Sequence, residues 1–286
     1  MIVGDTGPSR ALEVVWERGP TLAPRHRAEA PYGSALTFPE TRPYLFANFV
    51  QTIDGVIAFG ERGGWNASTV SMDSEPDRRV MALLRAHADA IVIGAGTFRV
   101  AHHHQWSPGG VMPDAVDDLD ALRALLRGPA ADRAPLYVVT ASGRLDPTHV
   151  AFTAPETCVA VVTTAVGASR LEGTLPPGVE VLALEDDRQV DPLELVRLIA
   201  RRSGGLILCE GGPHLLGELA RAGLLDELFL TVAPQIAGRD EDERRLGLVE
   251  GFAAAPDEAL RMHLHSLRRA QDHLFIRYRR DEPATA

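Results

Sequence analysis

Lysine is absent from this 286-residue sequence, and all 29 of its positively charged side chains are arginines. That excludes Schiff-base chemistry, a lysine general base and a Walker A phosphate loop, each of which needs a primary amine. Cysteine is scarce. Cys158 and Cys209 are too few for a disulfide framework or a thiolate zinc site, and the expected compartment is the reducing cytoplasm. Met1 to Arg10 carry no basic-then-apolar leader pattern. No apolar run reaches the roughly 18 residues needed to span a bilayer, so no membrane partner is expected.

What is present is an ordinary globular composition, 45% hydrophobic and 24% charged. The length suits one large domain or two small ones. Acidic side chains outnumber basic ones 39 to 29. The net charge of −10 argues against a broad nucleic-acid surface and leaves room for a local arginine pocket that holds a phosphate.

Residues 1–43 read as an irregular, proline-rich arm with one apolar stretch, Leu12 to Trp16, packed on a domain spanning 44–280, with 281–286 as a tail. Within the domain, apolar runs alternate with amphipathic ones. Strands are expected at Tyr44–Val50, Ala90–Ile93, Leu136–Val139, Val159–Val162, Val179–Leu184, Leu206–Cys209 and Glu227–Val232. Helices are expected at Pro76–His87, Asp117–Leu126 and Pro213–Arg221. Asp191, Pro192 and Glu194 supply the cap signals of another, running to Arg202. Ala259–Leu267 and His273–Tyr278 alternate apolar and polar residues and read as a closing antiparallel hairpin. The fold class is therefore α/β, a mixed and mostly parallel sheet covered by helices on both faces.

In such a sheet ligands bind beyond the carboxyl ends of the strands. Gly94-Ala95-Gly96-Thr97 and Glu210-Gly211-Gly212-Pro213 both lie there. A glycine cluster at a strand end also makes a plain turn. Two at corresponding ends favour an anionic cofactor, cradled by main-chain amides and helix starts. The spacing is not a Rossmann fingerprint, because Arg99 occupies the place of its third glycine.

Phe49-Val50-Gln51-Thr52-Ile53-Asp54-Gly55, the segment from Leu83 through Thr97, and Glu210-Gly211-Gly212-Pro213-His214-Leu215-Leu216 leading to Leu225-Asp226-Glu227-Leu228 and Thr231-Val232-Ala233-Pro234 carry a resemblance. From about Arg42 to Arg279 the chain resembles the C-terminal reductase domain of the bifunctional riboflavin-biosynthesis protein RibD, which has the dihydrofolate reductase fold. The Glu-Gly-Gly-Pro block with its downstream Asp-Glu-Leu is the specific part. The resemblance implies NADPH-dependent hydride transfer to a small pyrimidine, and a homodimer. It places the cofactor's phosphates and nicotinamide side against Gly94, Ala95, Gly96, Thr97, Glu210, Gly211, Gly212, Pro213 and Leu215, with a cis peptide joining Gly211 and Gly212. The adenosine 2′-phosphate would meet Thr140, Ser142, Gly143 and Arg144. Asp54 would stand near the reacting centre, and Trp65, Asn66 and Ser68 would line the substrate pocket.

Three positions depart from the riboflavin enzymes. Asn48 stands where they carry a lysine, and the segment Arg99 to Trp106 replaces an Asp-Asp-Pro run and a phosphate-gripping arginine. Asp77 falls where dihydrofolate reductases place the acid that pairs with a pteridine edge; it equally suits the first turn of a helix. Two enzyme readings follow, reduction of a ribosylaminopyrimidine imine and reduction of dihydrofolate. A third reading, a metal-binding protein, uses His102 to His104 or the pair His263 and His265, which alternation puts on one strand face. The closing hairpin is expected to leave an edge that a second subunit covers.

Overall fold

A computed structural model of the protein describes residues 11–59, 67–154, 157–240 and 245–280. Twelve strands are assigned: β1 (Glu13–Glu17), β2 (Tyr44–Thr52), β3 (Val56–Ala58), β4 (Ala90–Gly94), β5 (Leu136–Thr140), β6 (Val159–Thr164), β7 (Glu180–Leu184), β8 (Leu206–Cys209), β9 (Glu227–Ala233), β10 (Leu246–Gly247), β11 (His263–Ala270) and β12 (His273–Arg279). The helices are α1 (Ala67–Val70), α2 (Glu75–His87), α3 (Ala95–Val100), α4 (Pro108–Val111), α5 (Val116–Arg127), α6 (Ala165–Leu171), α7 (Pro192–Ser203) and α8 (Pro213–Arg221). Ten strands form one sheet in the order β1-β11-β12-β9-β2-β8-β4-β5-β6-β7, and β3 pairs with β10 apart from it. From β9 to β7 every neighbouring pair is parallel. The β12, β11 and β1 end is antiparallel.

Strand alternation assigns the two cores. Ile91 and Ile93 of β4 pack under α2 and α5 with Leu83, Leu84, Leu119 and Leu122. Ala90 and Val92 face the other side with Leu195, Ile199, Leu216 and Leu219 of α7 and α8. Both faces are therefore sealed, and the rim at the strands' carboxyl ends is left for ligands. The expected cap of α7 is present: Asp191 Oδ1 accepts from Glu194 N at 2.8 Å.

Four expectations are corrected. The arm is not irregular throughout, because residues 27–32 form a 3-10 helix and β1 pairs antiparallel with β11. Consequently the hairpin edge left for a second subunit is taken by the chain's own β1. The first hairpin strand begins at His263, not Ala259, and runs on to Ala270. A two-residue turn, Gln271 (φ 52°) and Asp272, sets its register by joining Ala270 to His273. A register shift between Leu264 and Ser266 then breaks the strict alternation that was to put His263 and His265 on one face.

Candidate active site

At the rim, a cleft of about 1840 Å³ opens over the ends of β2, β4, β5 and β8. That exceeds the roughly 300–1,000 Å³ of an ordinary single-ligand pocket, so there is room for two ligands side by side. Its lining brings together Asn48, Ser68, Asp77, Gly94, Ala95, Gly96, Thr97, Thr140, Ser142, Glu210, Gly211, Gly212, Pro213 and Leu215.

The two glycine turns meet because β4 and β8 are neighbours. Gly94 N donates to Gly211 O at 2.8 Å, and Glu210 N donates to Val92 O at 3.1 Å. The Gly211–Gly212 peptide is cis, as the resemblance implies. Gly211 sits at φ +135°, and a Cβ there would come within 2.7 Å of Thr97 Oγ1. A Cβ on Gly212 would meet the same oxygen at 2.8 Å, so only glycines let these turns close on each other. Above Gly96 the space is open. The helices that follow, α3 and α8, are capped by Gly94 and Gly212, which offer no side-chain bond to the first amides. Those free N–H groups suit an anion.

At the end of β5, Gly143 (φ +65°) is too close to Gly167 O to accept any side chain, which pins the loop to the start of α6. Gly143 N donates to Thr140 Oγ1 at 3.2 Å, and Arg170 donates to Ser142 O. Gly143 and Arg144 do not line the cleft; Arg144 is exposed beside it. Trp65 and Asn66 lie outside the described residues.

The two aspartates differ. Asp54 is not among the cleft-lining residues, and its carboxylate accepts from Thr52 Oγ1 (2.6 Å), Ala237 N (3.0 Å) and Gly238 N (2.7 Å). The Thr52 hydroxyl and these amides hold it down to about 2. An acid so firmly ionised has no proton to give near neutrality; it ties the β2 turn to the segment after β9. Asp77 is 5% exposed and faces the cleft from the first turn of α2. Burial pushes its carboxyl upward, and the nearby Glu210 adds to that, while a hydrogen bond from Thr231 and the charges of His273 and Arg78 oppose it. Such a carboxyl keeps its proton to higher pH.

Arg85 is the residue that sequence reasoning missed. Asp77, Met81 and Arg85 recur at helical spacing along the cleft side of α2. Arg85 and Glu210 form a fork with bonds of 2.7 and 3.0 Å, their side chains 1% and 5% exposed. Arg85 also donates to Gln105 O (3.1 Å), Ser107 O (3.0 Å) and His104 Nε2 (2.8 Å). Arg78 and Arg99 line the same cleft, so cationic side chains are present despite Asn48. The signal was an arginine at i+8 from Asp77, but only the fold shows that both face inward.

The histidines are otherwise engaged. His102 pairs with Asp146 at 2.7 Å, and His265, pushed down to about 4 by burial and by the neighbouring Arg277 and Arg279, lies far round the sheet on β11. Among the described residues no group of three or more His, Cys, Asp or Glu side chains could hold a metal ion. Cys209 is buried, its thiol pushed up to about 12, and so is unreactive. Among the described residues no helix is long and apolar enough to cross a membrane.

The family model for the RibD C-terminal domain matches residues 43–275. The 2,5-diamino-6-ribosylamino-4(3H)-pyrimidinone 5′-phosphate reductase of Archaeoglobus fulgidus is 26% identical over 200 residues, 70% of this chain and 84% of its own. The riboflavin biosynthesis protein RibD of Escherichia coli is 27% identical over 205 residues, 69% of this chain and 50% of its own, so this chain spans about half of that protein's length. A pyrimidine reductase-like protein from Corynebacterium diphtheriae superposes with a TM-score of 0.63 at 24% identity, covering 90% of this chain and 99% of that one, a likeness of fold.

Proposed function

The chain belongs to the RibD C-terminal domain family, and from that premise we propose that it is an NADPH-dependent reductase of a phosphorylated ribosylaminopyrimidine. The observation that carries this reading is the placing of a buried carboxyl, Asp77, in one cleft with two interlocked glycine turns.

The turns fit a dinucleotide because they present free helix-start amides and no side chains where a diphosphate would approach. Gly94 to Thr97 and Glu210 to Pro213 would hold it, with Leu215 packed behind Gly94. Thr140 and Ser142 supply hydroxyls, and the exposed Arg144 a charge, for the 2′-phosphate that separates NADPH from NADH. When bound, the reduced nicotinamide supplies the hydride.

The substrate's sugar opens to an imine. As the imine carbon gains its new C–H bond, the π pair moves to nitrogen and a proton must arrive there. Asp77 is suited to give it, because its environment disfavours the anion. Arg78 and Arg99 offer charge for a substrate phosphate. Asn48 and Ser68 add neutral polar groups to the same cleft.

Dihydrofolate reduction would use the same Asp77, so the substrates decide between the readings. NADPH oxidation should be measured with the ribosylaminopyrimidine phosphate and with dihydrofolate side by side. Turnover of the first is expected, and turnover of dihydrofolate alone overturns the proposal. Asp77→Asn should lower kcat/KM about 100-fold. In the wild type, activity should fall as pH rises through the raised Asp77 value, and the variant should lack that alkaline limb.

A further inference from the structure

Arg85 also defines a second donor in the cleft. A guanidinium can only donate, so the 2.8 Å contact from Arg85 Nη2 makes His104 Nε2 an acceptor. The imidazole is then the neutral tautomer with its proton on Nδ1. Nδ1 bonds no described residue, and His104 is a part-buried residue of the cleft lining. The ring is held from its other side by Trp106, whose centroid is 4.9 Å away at 74°.

We propose that His104 is a specificity-determining residue whose Nδ1–H, locked by Arg85, donates a hydrogen bond to an oxygen acceptor of the substrate. This rests on the reductase reading above. Burial, the positive charge of Arg85 and the nearby His149 push His104 down to about 3, so the ring stays neutral and the donor does not switch off between acid and alkaline pH. Arg85 behind the ring polarises the N–H, which favours an electron-rich oxygen, whether a ring carbonyl or a phosphate. Arg85 is the positioning residue. Glu210 fixes it in turn, so the turn that carries Gly211 and the donor His104 are braced by one guanidinium.

Two variants isolate the donor. His104→Phe keeps a ring against Trp106 and leaves Arg85 its bonds to Glu210, Gln105 O and Ser107 O. His104→Asn keeps an N–H near the position of Nδ1. KM for the ribosylaminopyrimidine phosphate should rise about 10-fold in His104→Phe with little change in kcat, and should return to within about 3-fold of wild type in His104→Asn. Binding of NADPH alone, followed by fluorescence, should be the same in all three proteins. The dephosphorylated substrate separates the two acceptors. An equal penalty on both substrates places the contact at the ring or sugar, and a penalty confined to the phosphorylated one places it at the phosphate. Imidazole 15N resonances of the wild type should show the Nδ1–H neutral tautomer from pH 5 to pH 9.

An unmoved KM in His104→Phe, or an Nε2–H tautomer, overturns the inference while the reductase reading stands. A change in NADPH binding without a change in substrate KM overturns it as well. Absence of turnover by the wild type overturns the reductase reading, and the substrate assignment of His104 falls with it.

Discussion

Two buried arginine–glutamate pairs lie on either side of β2, one at β9 and one at the end of β8, and they differ in what surrounds them. Arg277 on β12 pairs with Glu227 on β9, both almost wholly buried. Its remaining neighbours line no part of the cleft: Tyr44 Oη donates to Glu227 at 2.6 Å, the part-exposed Arg279 reaches Glu227 at 3.5 Å, Thr37 O accepts from Arg277 at 2.6 Å, and the rings of Phe38 and Phe229 flank the guanidinium. Arg85 and Glu210 are as well buried on average, but they open onto the cleft through His104 on one side and the glycine turn on the other. Chemistry of the pair is the same in both. A buried charge pair marks structure when the groups around it line no cavity, and a site when its partners line a cleft.

Glu227→Ala leaves Arg277 buried without its carboxylate and takes the acceptor from Tyr44. Stability should fall by about 3–5 kcal/mol, read by urea denaturation, with any folded fraction retaining its KM. Glu210→Gln probes the other pair and should cost less, about 1–3 kcal/mol, because an amide oxygen still accepts from Arg85. Its distinguishing effect is on activity. Removing the negative charge beside Asp77 lowers that group's hold on its proton, so the alkaline limb of the pH–rate profile should move to lower pH. A loss of stability with an unmoved limb would place Glu210 with Glu227 as structural only.

Asp54 gives the smallest effect and sharpens the same contrast. Asp54→Ala removes acceptors from Ala237 and Gly238 in an exposed turn, at a cost of about 1 kcal/mol, and should leave kcat within a few-fold of wild type. Because the folded carboxyl is held near 2, below its unfolded value, its stabilisation is present above about pH 4 and is lost as pH falls toward 2. The variant should lack that part of the acid transition in a thermal or denaturant series.

Much of the frame was legible along the chain. Leu206–Cys209 and Pro213–Arg221 fall at the expected residues, and β4, β5 and β6 extend only one or two residues past the expected ends. Buried parallel strands and capped helices carry dense local signals, which is why they read well. The short helices α1, α3, α4 and α6 did not, being one or two turns whose helicity depends on neighbours. β1 was read as part of an arm because a five-residue strand at an edge has only its pairing to declare it, and that pairing is with β11, some 250 residues away.

The candidate site divides in the same way. The second glycine turn was visible because a Cβ on Gly211 or Gly212 would crowd Thr97, a constraint that the sequence records directly. The two aspartates were indistinguishable, since an Asp-Gly turn and an Asp in a first helical turn are both commonplace. Burial separated them, pushing Asp77 up while hydrogen bonds pulled Asp54 down. Arg85 and His104 lie beside the glycine and histidine motifs, yet their roles depend on a contact across 19 residues and another across 125.

By itself, then, the sequence determined the layered α/β frame, the rim where ligands meet the strand ends, and the exclusion of lysine chemistry, because these depend on local pattern and residue inventory. Only the tertiary structure decided which carboxyl is buried and pushed upward, which arginine meets the histidine ring and which edge is closed. Those properties depend on distance and dielectric between residues far apart in the chain, and no local pattern encodes either.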